Sequence, residues 1–153
     1  MKSGFHTISV KALSRFAVEV FKSFNKMPRA NRARLIILSG NLGSGKTTFT
    51  QNLAKLFGVS ARVLSPTFVF VHEYKTISKS PFDKIIHVDA YRMETKRDVV
   101  ATGIRDYLKD PKNLVLVEWG ERVKQWLPKP DVVIEFRHHK PHLRKVRFIK
   151  PKR

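Results

Sequence analysis

Apolar residues recur along this chain in two rhythms. Leu13, Phe16, Val20 and Phe24 stand three or four apart, a spacing that puts side chains on one helical face and predicts an amphipathic helix over 12–24. Leu35-Ile36-Ile37-Leu38, Ile85-Ile86-His87-Val88 and Leu114-Val115-Leu116-Val117 are instead short runs, apolar almost throughout. Such runs, bounded by polar residues or glycine, read as buried strands. Thr47 to Phe57 predicts a helix stopped by Gly58. Phe68 to Tyr74 predicts a strand after Pro66, and Ser78 to Asp83 a turn. Asp98 to Lys109 predicts a helix broken near Gly103, and Glu121 to Trp126 a short helix. Asp131 to Arg137 and Leu143 to Ile149 alternate as the strands of a terminal hairpin would. Strands interleaved with helices give an α/β fold, and the strand-rich end makes its sheet mixed rather than purely parallel.

The length, 153 residues, fits a single domain over 1–153 and buries a core without staples. That matters because cysteine is absent. Disulfides, thiolate zinc sites and cysteine nucleophiles are excluded. No apolar run approaches the ~20 residues of a membrane helix, and no apolar core follows Lys2 and His6 as a secretory signal would require. A soluble, cytoplasmic protein with no membrane partner is expected. The net charge of +19 is unevenly spread. Residues 1–34 hold eight Lys/Arg and one acid, Glu19; residues 137–153 hold eight Lys/Arg and no acid. Basic ends of this kind either contact polyanions such as tRNA or are solvated tails.

One segment carries chemistry outright. Gly40-Asn41-Leu42-Gly43-Ser44-Gly45-Lys46-Thr47 fits G-x-x-x-x-G-K-[ST] in full, between a predicted strand and a predicted helix. Glycines let the chain take positive φ and turn its amides inward, which makes a nest for phosphate oxygens. The following helix points its positive dipole end at the same anion. Lys46 is expected to bridge the β- and γ-phosphates and Thr47 to ligate Mg²⁺. Asn41 through Thr48 is therefore the candidate cradle for a nucleoside triphosphate and its Mg²⁺.

A second Mg²⁺ anchor and a means of positioning water must come from the twelve carboxylates. Two follow buried apolar runs, Asp89 and Glu118, at the strand ends where open α/β sheets bind ligands. Asp89 reads as a Walker-B-type acid. Glu118 either polarises the attacking water or completes the metal shell. The plainer alternative for each is a helix cap or an ion pair. Thr67, in Ser65-Pro66-Thr67, is either a switch threonine or part of a turn before a strand.

These motifs occur in a telling order. Gly40 to Thr48, Ser65-Pro66-Thr67-Phe68, His87-Val88-Asp89-Ala90-Tyr91-Arg92, Gly103-Ile104-Arg105-Asp106-Tyr107 and Val117-Glu118-Trp119 together resemble TsaE (YjeE), the bacterial ATPase family of tRNA threonylcarbamoyladenosine synthesis. The resemblance spans about residues 9–149. It implies a P-loop NTPase three-layer sandwich with a mixed, mostly parallel central sheet and a C-terminal β-hairpin. It implies Mg²⁺ held by Thr47 and Glu118 with Asp89 close by, Thr67 in a switch-like loop, and Trp119 beside the nucleotide. It also implies a TsaD–TsaB heterodimer as partner, with hydrolysis serving the multiprotein cycle. Three departures stand out. Asn41 replaces the family's usual Asp, Leu13 occupies the place of a nucleotide-touching threonine, and the basic ends exceed the family pattern.

Other residues have blander readings. His138, His139 and His142 lack nearby carboxylates or cysteines and read as a solvated basic hairpin rather than a metal site. Trp126 reads as core or hinge packing and Tyr107 as core. Arg92 is either an arginine finger or a salt-bridge partner. Rival functions fit less well. A small-molecule kinase needs an acceptor pocket and a lid, for which the chain is short. A GTPase needs N-K-x-D, and the nearest segment, Asn25-Lys26-Met27-Pro28, ends in proline. A non-catalytic nucleic-acid-binding module leaves the cradle and both strand-end acids unexplained.

Overall fold

A computed structural model describes residues 4–25, 27–28, 30–61, 63–64 and 70–151. The three apolar runs become β2 (Arg34–Ser39), β4 (Lys84–Asp89) and β5 (Asn113–Glu118). Around them lie β1 (His6–Ser9), β3 (Val71–Lys75), β6 (Val132–Lys140) and β7 (Leu143–Ile149). The helices are α1 (Leu13–Asn25), α2 (Lys46–Leu56), α3 (Lys96–Ala101) and α4 (Ile104–Lys109). All seven strands form one sheet in the order β1-β7-β6-β2-β5-β4-β3. The central four, β6-β2-β5-β4, are parallel; β3, β7 and β1 join by antiparallel pairing.

Period-two alternation divides the core. Ile36, Leu38, Ile85, Leu114 and Leu116 face one side, where Leu13, Phe16, Val20 and Phe24 of α1 and Phe49 and Leu53 of α2 cover them. Leu35, Ile37, Ile86, Val115 and Val117 face the other, beneath Val99 of α3 and Ile104 and Leu108 of α4. The result is the expected three-layer α/β sandwich. Among the described residues, no helix is long and apolar enough to cross a membrane.

The differences from expectation have local causes. The 98–109 helix is two, because Gly103 turns the chain at φ +68°, and it starts early because Thr95 and Asp98 form a reciprocal cap. In place of a helix over 121–126 there are two 3₁₀ turns, Gly120–Arg122 and Lys124–Trp126. Trp126 is partly buried against the core, as is Tyr107, whose hydroxyl reaches the surface and donates to Glu73. The edge strand β1 has no apolar alternation to announce it. Ser65 to Val69, and with them most of the predicted start of β3, lie outside the described residues.

Candidate functional site

The site forms where β2, β4 and β5 end together. Asp89 and Glu118 are register partners on neighbouring parallel strands, and the glycine loop leaves β2 beside them. Gly40, Gly43 and Gly45 hold φ of +135°, +69° and +107°. At Gly40 no other residue fits, since a Cβ would lie 2.2 Å from the Phe136 carbonyl oxygen. Leu42 to Thr48 line one cleft together with Asp89, Glu118 and Trp119. The sequence-predicted residues of loop and strand ends are thus brought together, except that Asn41 does not line the cleft. Thr67 lies outside the described residues.

Inside the cleft, Glu118 is 2% exposed and collects donors. The Thr47 hydroxyl donates to its Oε2 at 2.8 Å. Thr50 lies 3.4 Å and His87 Nε2 2.8 Å from Oε1. A buried carboxylate needs such partners to offset desolvation. His87 is fully buried, and its Nδ1 has no hydrogen-bond partner among the described residues. Asp89, 3% exposed, accepts from the Tyr91 amide at 2.9 Å.

Lys46 curls over the loop. Its Nζ donates to the carbonyls of Gly40 (2.6 Å) and Asn41 (3.0 Å) and sits 3.9 Å from the centre of the Trp119 ring. Burial pushes its pKa below the ordinary lysine value, against the opposing pull of Glu118, Glu121 and Asp89. Tyr91 packs on the same Trp119 ring, centroids 4.9 Å apart. Ser44, in the wall of the cleft, has a buried Oγ with no partner among the described residues. Leu13 is fully buried against Gly45.

Several participants escaped sequence reasoning. Thr50 lies three residues past Thr47 on one helix face, and His87 two before Asp89 on one strand face; those spacings were the available signals. Glu121 accepts from the Gly40 amide at 3.2 Å. His138 corrects the reading of a merely solvated hairpin: though exposed, its Nε2 lies 3.1 Å from the Leu42 carbonyl. Arg144 reaches the Gly43 carbonyl at 3.3 Å. Nothing local in the sequence ties these two to a loop ~100 residues away.

The cleft offers hydroxyl and carboxylate oxygens, the hard donors that suit Mg²⁺. Among the described residues no three His, Cys, Asp or Glu side chains form a metal cage. An ion here would take the rest of its shell from phosphate and water, as Mg²⁺ commonly does. The orphan Ser44 hydroxyl and the positive-φ glycines fit a phosphate chain beside it.

Comparison with known proteins points to one family. Residues 9–146 match the family model described as threonylcarbamoyl adenosine biosynthesis protein TsaE. A Rickettsia prowazekii protein named tRNA threonylcarbamoyladenosine biosynthesis protein TsaE is 31% identical over 86% of this chain and 85% of its own. A Haemophilus influenzae protein of the same name is 33% identical over 71% of this chain, but the match spans 65% of that relative, slightly under two thirds. A crystal structure of Bacillus subtilis YdiB shares the fold, with a TM-score of 0.69 at 22% identity over 97% of this chain and 88% of that one.

Proposed function

The chain belongs to the TsaE family, and from that premise we propose that it binds ATP with Mg²⁺ and hydrolyses it as the nucleotide-driven component of tRNA threonylcarbamoyladenosine synthesis. The observation that carries this reading is the Thr47–Glu118 contact of 2.8 Å at the mouth of the glycine loop. It joins the loop hydroxyl and the strand-end acid that such a reaction needs side by side. Mg²⁺, when bound, would offset charge on the β- and γ-phosphates. Thr47, Glu118 and Asp89 are the residues that would hold it.

The chain's own groups have distinct tasks in this proposal. The loop amides and the start of α2 bind phosphate oxygens. Lys46 exchanges its carbonyl partners for the β- and γ-phosphates, a stronger charge-assisted contact. Thr50 and His87 fix the Glu118 carboxylate, so that Glu118 and Asp89 can accept hydrogen bonds from the attacking water. Trp119 and Tyr91 wall the cleft. Thr67 is assigned a switch-like role by resemblance alone. The acting partner is a TsaD–TsaB-like complex, and the basic ends are the means of holding tRNA nearby.

The test is ATP hydrolysis by the full chain, alone and with a TsaD–TsaB pair, with and without Mg²⁺. Turnover should require Mg²⁺ and rise, or become coupled to product synthesis, when the pair is present. Lys46→Ala should abolish it. Glu118→Ala should keep part of the nucleotide binding while hydrolysis falls by about a hundredfold or more. Hydrolysis indifferent to Glu118→Ala would defeat the assignment.

A further inference from the structure

We propose that His138 and Arg144, on the β6–β7 hairpin, are positioning residues of the nucleotide site: they hold the Leu42 and Gly43 carbonyls outward so that the loop amides face phosphate. This rests on the nucleotide reading above and adds a part of the site that neither the loop motif nor the strand-end acids contain.

His138 and Arg144 are direct partners across the β6–β7 ladder. The Arg144 guanidinium is set in place by its own turn, where Nη1 donates to the carbonyls of Lys140 (3.2 Å), Pro141 (3.3 Å) and Leu143 (2.8 Å). That leaves Nη2 aimed at the Gly43 carbonyl, 3.3 Å away. His138 Nε2 donates to the Leu42 carbonyl at 3.1 Å, and its ring lies 3.4 Å from where a Cβ on Gly43 would stand. A peptide unit is planar, with its C=O and N–H pointing opposite ways. Fixing the Leu42 carbonyl toward the hairpin turns the Gly43 amide to the other side, and fixing the Gly43 carbonyl holds the turn that the Ser44 amide closes. The Ser44 amide meanwhile closes a turn onto the Asn41 carbonyl at 3.2 Å. Leu42 is 78% exposed, so its side chain cannot anchor this stretch by burial. The hairpin supplies the missing anchor. Donors oriented before the anion arrives need no reorganisation on binding, which is what makes preorganised sites tight.

The experiment measures ADP binding by calorimetry to the full-length wild type and to His138→Ala, Arg144→Ala, His138→Gln and His138→Phe, with thermal unfolding of each without nucleotide. His138→Ala and Arg144→Ala should each weaken ADP binding about tenfold, with midpoints of unfolding close to wild type. Glutamine keeps an N–H donor and should restore affinity to within about threefold, whereas phenylalanine keeps ring bulk without a donor and should not. In ATP turnover the loss should fall on KM rather than kcat. Equal affinity in wild type and both alanine variants overturns the proposal, as does a glutamine variant no better than phenylalanine. A wild type that binds no ADP overturns the nucleotide reading and this proposal with it.

Discussion

Lys46 holds its ammonium between two carbonyl oxygens and an aromatic face, in a place dry enough to lower its pKa. The ordinary value is 10.5. In the window between the lowered value and 10.5, the folded chain has released a proton that the unfolded chain keeps. The unfolded state binds more protons there, so stability without ligand rises with pH through that window. Nucleotide affinity should move the other way, because a neutral Lys46 loses its attraction for phosphate. ADP affinity followed by calorimetry should therefore decline from a pH below 10.5. Lys46→Arg, whose guanidinium stays charged, should flatten that decline even if its absolute affinity is poor. A wild-type affinity that is level up to pH 10.5 would contradict the buried-lysine account. At this scale the residue types were readable from sequence, since loop, lysine and strand-end acids each follow from a chemical requirement. The partners that tune them were less readable. His87 reads as one more member of a buried run, and only the register between β4 and β5 reveals that it donates to Glu118.

Among the elements, those with a side-chain rhythm were legible and those held by backbone alone were not. Helix α1 and strands β2, β4 and β5 differ from expectation by a residue or two. Strand β1, His-Thr-Ile-Ser, is exposed to half-buried along its length and exists through its ladder with β7. Strand β6 runs past Arg137 to Lys140 although its last residues are all exposed and polar, because pairing with β7 continues across a bulge between His138 and Lys140. Helix α1 also does more than cover the sheet. Its first residue, Leu13, is fully buried, and a Cβ on Gly45 would meet it at 3.0 Å. Leu13 is thus a floor under the glycine loop. Leu13→Ala should leave a cavity and cost about 3 kcal/mol of stability, read from urea unfolding. It should also weaken ADP binding, since the loop loses its support. A loss below about 1 kcal/mol would mean that the site collapses around the gap and that the contact matters little.

Across the whole molecule, charge is the feature that the linear sequence described least well. Residues 1–34 and 137–153 stand at opposite ends of the chain, and their excess of Lys/Arg was open to reading as two separate tails. The sheet order brings them together: β1 pairs with β7, opposite β6 at the same edge. Arg137 faces Lys145 across the β6–β7 ladder, Thr7 of β1 pairs with Lys145, and the Arg137 and Arg147 guanidiniums lie 4.3 and 4.6 Å from the Phe5 ring centre. Glu135 neutralises Arg147 through a 2.6 Å ion pair, which leaves Arg137 and Lys145 as the better probes of this edge. Truncation after Phe136 would be a poor test of tRNA contact, because it removes β7 with the buried Val146 and Phe148 and strips the sheet of two ladders. Arg137→Gln with Lys145→Gln instead removes two charges and leaves the backbone pairing in place. If tRNA lies along this edge, the double variant should bind it more weakly to the TsaD–TsaB-containing complex, and the slope of log affinity against log salt should fall by about 1.5, the share of two phosphate contacts. ATP hydrolysis by the isolated variant should stay near wild type, since the hairpin's bonds to the glycine loop come from His138 and Arg144. An unchanged slope would show that Arg137 and Lys145 do not meet phosphate.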